Sequence, residues 1–147
     1  MSIFSIATSG LSAASLRVNV AASNIANVRT TGPLPASGGT SASAASSSTS
    51  STYPAAYVPL RVDQVDQSSG SMPGGTKAAV STVSPSYIAQ SDPGAPFANQ
   101  DGLVAAPNVD ITREFVELAA AKYSFIANTK VIQAYSETTE SLLDITT

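Results

Sequence analysis

The sequence predicts a mainly α protein with a small β element. An antiparallel pair of N- and C-terminal helices, coiled-coil-like, would flank a small extended or β-hairpin module, and polymerisation would complete the fold. Three observations predict it. An unbroken heptad pattern runs from Phe4 to Val28, no Pro or Gly occurs from Asn108 to Thr147, and the intervening chain is short apolar alternations punctuated by Pro, Gly and Ser.

In the first segment Phe4, Leu11, Val18 and Ile25 recur every seven residues, and Ala7, Ala14, Ala21 and Val28 recur three positions later. Such a/d spacing specifies a helix that lies against another helix. With alanine at three of the four d positions, a partner backbone can come close. Ile6, Ala13 and Val20 add an apolar stripe beside the seam, and Thr8, Ser9, Ser12, Ser15, Asn19 and Ser23 fill the far side. Between Met1 and Thr31 the only charged residues are Arg17 and Arg29. A water-facing helix surface usually carries Glu and Lys, so this helix is expected to touch protein all round. It runs from about Ser2, a candidate N-cap, to about Arg29, with Gly10 its weak point and Gly32-Pro33 its stop.

The totals exclude several functions. At 147 residues, with a middle rich in Pro, Gly, Ser and Ala, the chain has little to build a large enclosed active site. The net charge of −3 and the absence of Lys or Arg clusters give no reason to expect nucleic acid or an anionic membrane as partner. There is no His and no Cys, which removes the commonest zinc ligands, the usual general base, a thiol nucleophile and any disulfide. No cofactor, metal or small-molecule substrate is expected. The apolar start lacks the basic n-region of a secretory signal, and no run approaches the roughly 20 apolar residues of a membrane span.

Four segments follow from this reading: a helix over 1–31, a Ser/Ala-rich insert over 32–56, short strands and a Pro/Gly-rich connector over 57–107, and a second helix over 108–147. Pro35 to Thr52 is almost wholly Ser, Ala, Thr and Gly; it cannot bury enough apolar area to offset the entropy of ordering, and is expected to be flexible. Tyr57 to Val65 alternates Val58, Leu60 and Val62 with other residues, an edge-strand pattern because of Pro59. Ser68 to Gly75 reads as a glycine-rich loop and Lys77 to Val83 as a second strand. Two strands alone are marginal in water, so this hairpin must lean on another element. Pro85 to Pro107, with Asp92-Pro93-Gly94-Ala95-Pro96 and Asp101-Gly102, reads as a turn-rich connector.

The last helix is capped by Asn108 or Asp110, and its core stripe is Ile111, Phe115, Leu118, Ala121, Phe125, Asn128, Ile132, Tyr135 and Leu142. Val116, Tyr123 and Ile126 leave that stripe, so its first half needs neighbours on more than one side. The later part carries Lys130, Glu137, Glu140 and Asp144 and is expected to see water. Pairing the two helices alone leaves Ile3, Ile6, Leu16, Val20, Val116 and Ile126 partly wet. Each such side chain favours burial by about 1.5 to 3 kcal/mol, which lateral packing between copies would recover. Head-to-tail contacts give a filament or tube and self-complementary ones a closed dimer; composition does not choose between them.

Two stretches carry a family resemblance. Gly10-Leu11-Ser12-Ala13-Ala14-Ser15-Leu16-Arg17, followed by Ala22-Ser23-Asn24-Ile25-Ala26-Asn27-Val28-Arg29-Thr30-Thr31-Gly32, resembles the N-terminal signature of the axial proteins of the bacterial flagellum. Asn108-Val109-Asp110 with Ala127-Asn128 resembles their C-terminal signature. The run from Asp92 to Val109 is similar to that of proximal-rod members. Thr31 and Phe125 depart from the pattern, standing where proline and tyrosine are usual. The resemblance implies a structural subunit of the basal-body rod, exported unfolded through the flagellar type III apparatus without signal cleavage. In the periplasm it would polymerise with itself and other rod proteins, beside the basal-body rings, into the shaft that carries torque to the hook. The interface and seam residues are then Phe4, Ala7, Leu11, Ala14, Val18, Ala21, Ile25, Val28, Asn24 and Asn27 of the first helix. On the last helix they are Ile111, Phe115, Leu118, Phe125, Asn128, Ile132, Tyr135 and Leu142.

Plainer readings stand beside these. The heptad also suits an ordinary core helix, Asn24 and Asn27 also suit surface positions, and Asn128 is either a register-setting amide or a polar residue tolerated at the edge. Another rod or hook protein, or a secreted coiled-coil module presenting the hairpin to a receptor, fits the same pattern; the secreted module predicts a discrete soluble oligomer. For an enzyme only carboxylate pairs are available, Asp63 with Asp66 and Glu137 with Glu140, and both read as solvated charge. Gly70 to Gly75 has no Gly-Lys-Ser/Thr continuation and is not a phosphate loop.

Overall fold

A computed structural model of the chain describes residues 2–35, 53–67 and 74–145. Their elements run α1 (Ile3–Asn27), β1 (Leu60–Asp66), β2 (Thr76–Thr82), β3 (Tyr87–Ser91), β4 (Leu103–Pro107) and α2 (Ile111–Ile145). The protein is therefore mainly helical, with long N- and C-terminal helices and a small antiparallel β portion between them. The insert expected from Pro35 to Thr52, beyond Pro35 itself, lies outside the described residues, as does the loop expected from Ser68 to Gly75 except for Gly74 and Gly75. No described helix is long and apolar enough to cross a membrane.

The chain divides into two compact units. The first comprises Met1–Ile25, Leu60–Ser81 and Asp110–Thr147, bringing together most of α1, the β1–β2 hairpin and α2. Ser2 caps α1, its Oγ accepting the Ser5 N–H at 3.3 Å. Of the two candidate caps for α2, Asp110 takes the role: its Oδ1 accepts the N–H groups of Thr112 and Arg113 at 2.9 and 3.3 Å. Both side chains supply an acceptor to amides that have no partner in the first helical turn. β1 and β2 are hydrogen-bonded neighbours. Gln67 N–H donates to the Gly75 carbonyl at 3.1 Å near the turn, and Arg61 Nε donates to Ser81 Oγ at 3.0 Å near the open end, so they run antiparallel. β1 starts just after Pro59, later than the alternation predicts, because proline has no N–H for a ladder.

The second unit comprises Ala26–Pro59 and Thr82–Val109. Here the structure adds an element to the expected connector: β3 and β4 form an antiparallel pair, registered from Tyr87 opposite Pro107 to Ser91 opposite Leu103. Across the other edge of β4, Gly32 exchanges two backbone hydrogen bonds with Ala105, at 3.0 and 2.9 Å. β4 is thus paired on both sides, and Val104, Ala105 and Ala106 are buried. A Cβ on Gly32 would fall 2.4 Å from the Ala56 nitrogen, so only glycine permits this approach. Tyr53 and Phe97 pack with ring centroids 5.5 Å apart.

Candidate subunit interface

The site of interest is the first unit, where α1 serves two neighbours at once. Toward α2, Arg17 Nη2 donates to Glu117 Oε2 at 2.6 Å and Asn24 Nδ2 donates to Glu114 Oε1 at 2.9 Å. Near the other end Gly10 lies against Asn128, so close that a Cβ would sit 2.6 Å from Asn128 Oδ1. As positions rise along α1 their partners fall along α2, which fixes the pair as antiparallel. Ala7, Ala14 and Ala21 are buried on α1 and Ala121 on α2; small side chains and Gly10 allow the backbones to approach.

Toward the hairpin, Ser9 Oγ accepts the Thr76 N–H at 3.1 Å and Ile6 Cδ1 lies next to Gly74. At the far end Asn24, fully buried, takes hold of Leu60. Its Oδ1 accepts the Leu60 N–H at 3.1 Å and its Nδ2 donates to the Leu60 carbonyl at 2.7 Å. The amide thereby imitates a neighbouring strand for the first residue of β1. Ala13 and Val20, also buried, belong to the stripe that the sequence placed beside the seam. One helix with buried positions on more than one side explains why so few charges were found on it.

The remaining seam positions read from the sequence fall as follows. On α1, Leu11, Val18 and Ile25 are half-buried and Phe4 is half exposed, at 50%. Val28 and Asn27 are half-buried, the Asn27 carbonyl accepting both the N–H and the hydroxyl of Thr30 at 3.0 and 2.7 Å. On α2, Leu118, Asn128 and Ile132 are half-buried. Ile111, Phe115, Phe125, Tyr135 and Leu142 are exposed, as are Val116, Tyr123, Ile126, Val131 and Leu143. Asn128 donates to the Ser124 carbonyl within its own helix, at 2.9 Å. Glu114, Glu117 and Arg17 were not singled out as contacts by sequence reasoning. The signal available was that Arg17 is the one charged residue of α1, and a lone charge on a protein-facing helix needs a counter-ion.

Of the four carboxylates weighed for acid–base chemistry, Asp63 and Glu137 have ordinary surface partners. Asp63 Oδ2 accepts from Ser81 at 2.6 Å and lies 3.3 Å from Arg61. Glu137 accepts from Gln133 at 3.0 Å. Among the described residues, no group of three or more His, Cys, Asp or Glu could hold a metal ion.

A helix pair pinned by small residues, with a hairpin anchored to it and large apolar side chains left on the outside of α2, defines a helical structural subunit. Comparison with known proteins identifies the kind. Residues 4–33 match the family model described as flagella basal body rod protein. Residues 100–145 match that described as flagellar basal body rod FlgEFG protein C-terminal. The chain is 37% identical to the flagellar basal-body rod protein FlgC of Salmonella typhimurium over 135 residues, covering 90% of this chain and 87% of that one. It is 36% identical to FlgC of Yersinia enterocolitica over 146 residues, covering 97% and 92%. It is 26% identical to FlgC of Agrobacterium fabrum over 140 residues, covering 95% and 90%. The chain belongs to the flagellar basal-body rod protein family and is FlgC-like: a structural subunit of the basal-body rod that assembles with other rod components.

Proposed function

We propose that this subunit occupies the proximal rod, polymerising with itself and other rod proteins into the shaft that passes torque to the hook, and that it performs no catalysis. The observation that carries the reading is the outer surface of α2. Phe115, Val116 and Tyr123 are 58, 63 and 72% exposed in the single copy, although a helix of a self-sufficient domain turns such residues inward. Burying each favours association by about 1.5 to 3 kcal/mol, and contacts repeated from copy to copy build an open polymer. The helix seam extends this interface, with Phe4, Leu11, Val18 and Ile25 on α1 and Ile111, Phe125, Tyr135 and Leu142 on α2 meeting neighbouring subunits.

Export through the flagellar type III apparatus without signal cleavage, and assembly in the periplasm beside the basal-body rings, complete this reading. A subunit finished by its neighbours is easily kept unfolded until it reaches the growing end, and a chain without cysteine cannot be trapped by disulfides on the way. The test is deletion of the encoding gene and complementation with the intact chain. Cells without it should lack rods and hooks and regain both on complementation; normal rods in the deletion strain would refute the reading.

A further inference from the structure

The charges on α2 are sorted along its length. The window from Lys122 to Lys130 contains both lysines of this helix and no acid, whereas the window from Ser136 to Asp144 contains Glu137, Glu140 and Asp144 and no base. On a helix of 3.6 residues per turn, these five side chains share the half turned away from Glu114, Glu117, Ala121 and Asn128, which is the half facing α1. All five are exposed. The acidic window also extends past the first helix. Gly10 lies beside Asn128 and Arg17 beside Glu117, so Ile3 falls near Tyr135 and about ten residues of α2, roughly 15 Å, run on beyond the start of α1. Every residue from Gln133 to Asp144 is exposed.

We infer that a second copy of this chain covers the outer face, its α2 parallel to the first and displaced along the axis. The protruding acidic window of one copy then lies along the basic window of the next. This rests on the rod reading above. The two windows are equal in length and fourteen positions apart, so a single stagger of about 21 Å places Lys122 next to Glu137 and Lys130 level with Asp144. Fourteen residues is two heptads, so at this stagger the two helices keep nearly the same face turned toward each other. Any unstaggered parallel neighbour would put lysine beside lysine and acid beside acid, which is penalised. An antiparallel pair would also match the signs, but it uses both windows of both copies and closes at two. The staggered arrangement leaves one window free at each end and propagates. Surface charges of this kind contribute register more than affinity; the apolar side chains between them supply the attraction.

The test uses the intact chain in a strain lacking its own copy of the gene. Lys122→Glu with Lys130→Glu should reduce assembled rods and motility at least about tenfold, as should Glu137→Lys with Asp144→Lys. The chain carrying all four changes should regain most of the loss. Unaltered assembly by either double variant, or no recovery in the fourfold one, would overturn the inference while leaving the rod reading intact. Failure of the unsubstituted gene to restore rods would sink the rod reading itself. Because the chain has no cysteine, introduced ones report the geometry directly. Ala119→Cys and Gln133→Cys chains expressed together should cross-link to each other, whereas Gln133→Cys linking to itself would establish the closed antiparallel pair and overturn the stagger.

Discussion

The side-chain amide of Asn24 holds both backbone groups of Leu60, accepting its N–H at 3.1 Å and donating to its carbonyl at 2.7 Å, and reaches Glu114 at 2.9 Å as well. One buried residue of α1 thus ties the hairpin and the last helix to the first.

Asn24→Ala should therefore cost about 3 kcal/mol of stability, since it strands the amide and carbonyl of half-buried Leu60 beside the fully buried Asn24 position. Denaturant unfolding measures the loss, and hydrogen exchange should show the Leu60 N–H losing protection before the middle of α1. A loss below about 0.5 kcal/mol would mean that another group satisfies Leu60.

Gly10 and Asn128 yield a prediction of opposite sign from helix propensity. Glycine to alanine inside a helix ordinarily gains up to about 1 kcal/mol. Here the new methyl would meet the Asn128 side chain at 2.6 to 2.8 Å, and Asn128 is tethered to the Ser124 carbonyl. Gly10→Ala should destabilise by about 1 to 3 kcal/mol, and Gly10→Ala with Asn128→Ala should recover most of it. Thermal melts of the two variants decide this.

The Arg17–Glu117 pair should matter little to stability. Their side chains retain 21 and 47% of their exposure, so solvent screens the attraction, and a double-mutant cycle should give a coupling below about 1 kcal/mol. Coupling above about 2 kcal/mol would show the pair to be more enclosed than the single subunit makes it.

Phe115→Asp should separate folding from assembly. At 58% exposure its side chain contributes little to the isolated subunit, so the melting temperature should stay nearly unchanged, within about 0.5 kcal/mol in stability terms. Rod formation and motility should be lost. Leu11→Asp and Val18→Asp, at half-buried positions, should lose both stability and assembly.

Both helices and their caps were legible in the sequence because their causes are local. The heptad from Phe4, Ser2 and Asp110 at the starts, and the Pro/Gly-free run to the C-terminus act within a few turns of chain. β1 and β2 were legible to within a few residues from alternation and Pro59. The β3–β4 pair was not, since Tyr87–Ser91 and Leu103–Pro107 are five residues each and lie amid prolines and glycines that read as punctuation. What makes β4 a strand is its two neighbours, Gly32 among them, far away in the chain.

By itself the sequence determined where the helices lie, that the first is meant for protein contact on most sides, and to which family the chain belongs, because periodicity, charge placement and signature residues are properties of the linear chain. Only the tertiary structure decided which buried position is structural and which apolar row is left outside. Asn24 looked like a surface or interface amide until Leu60 and Glu114 were brought to it. Phe115 looked like core until α1 was seen to occupy the other side of α2. Burial is a property of what arrives from elsewhere, and no periodicity encodes it.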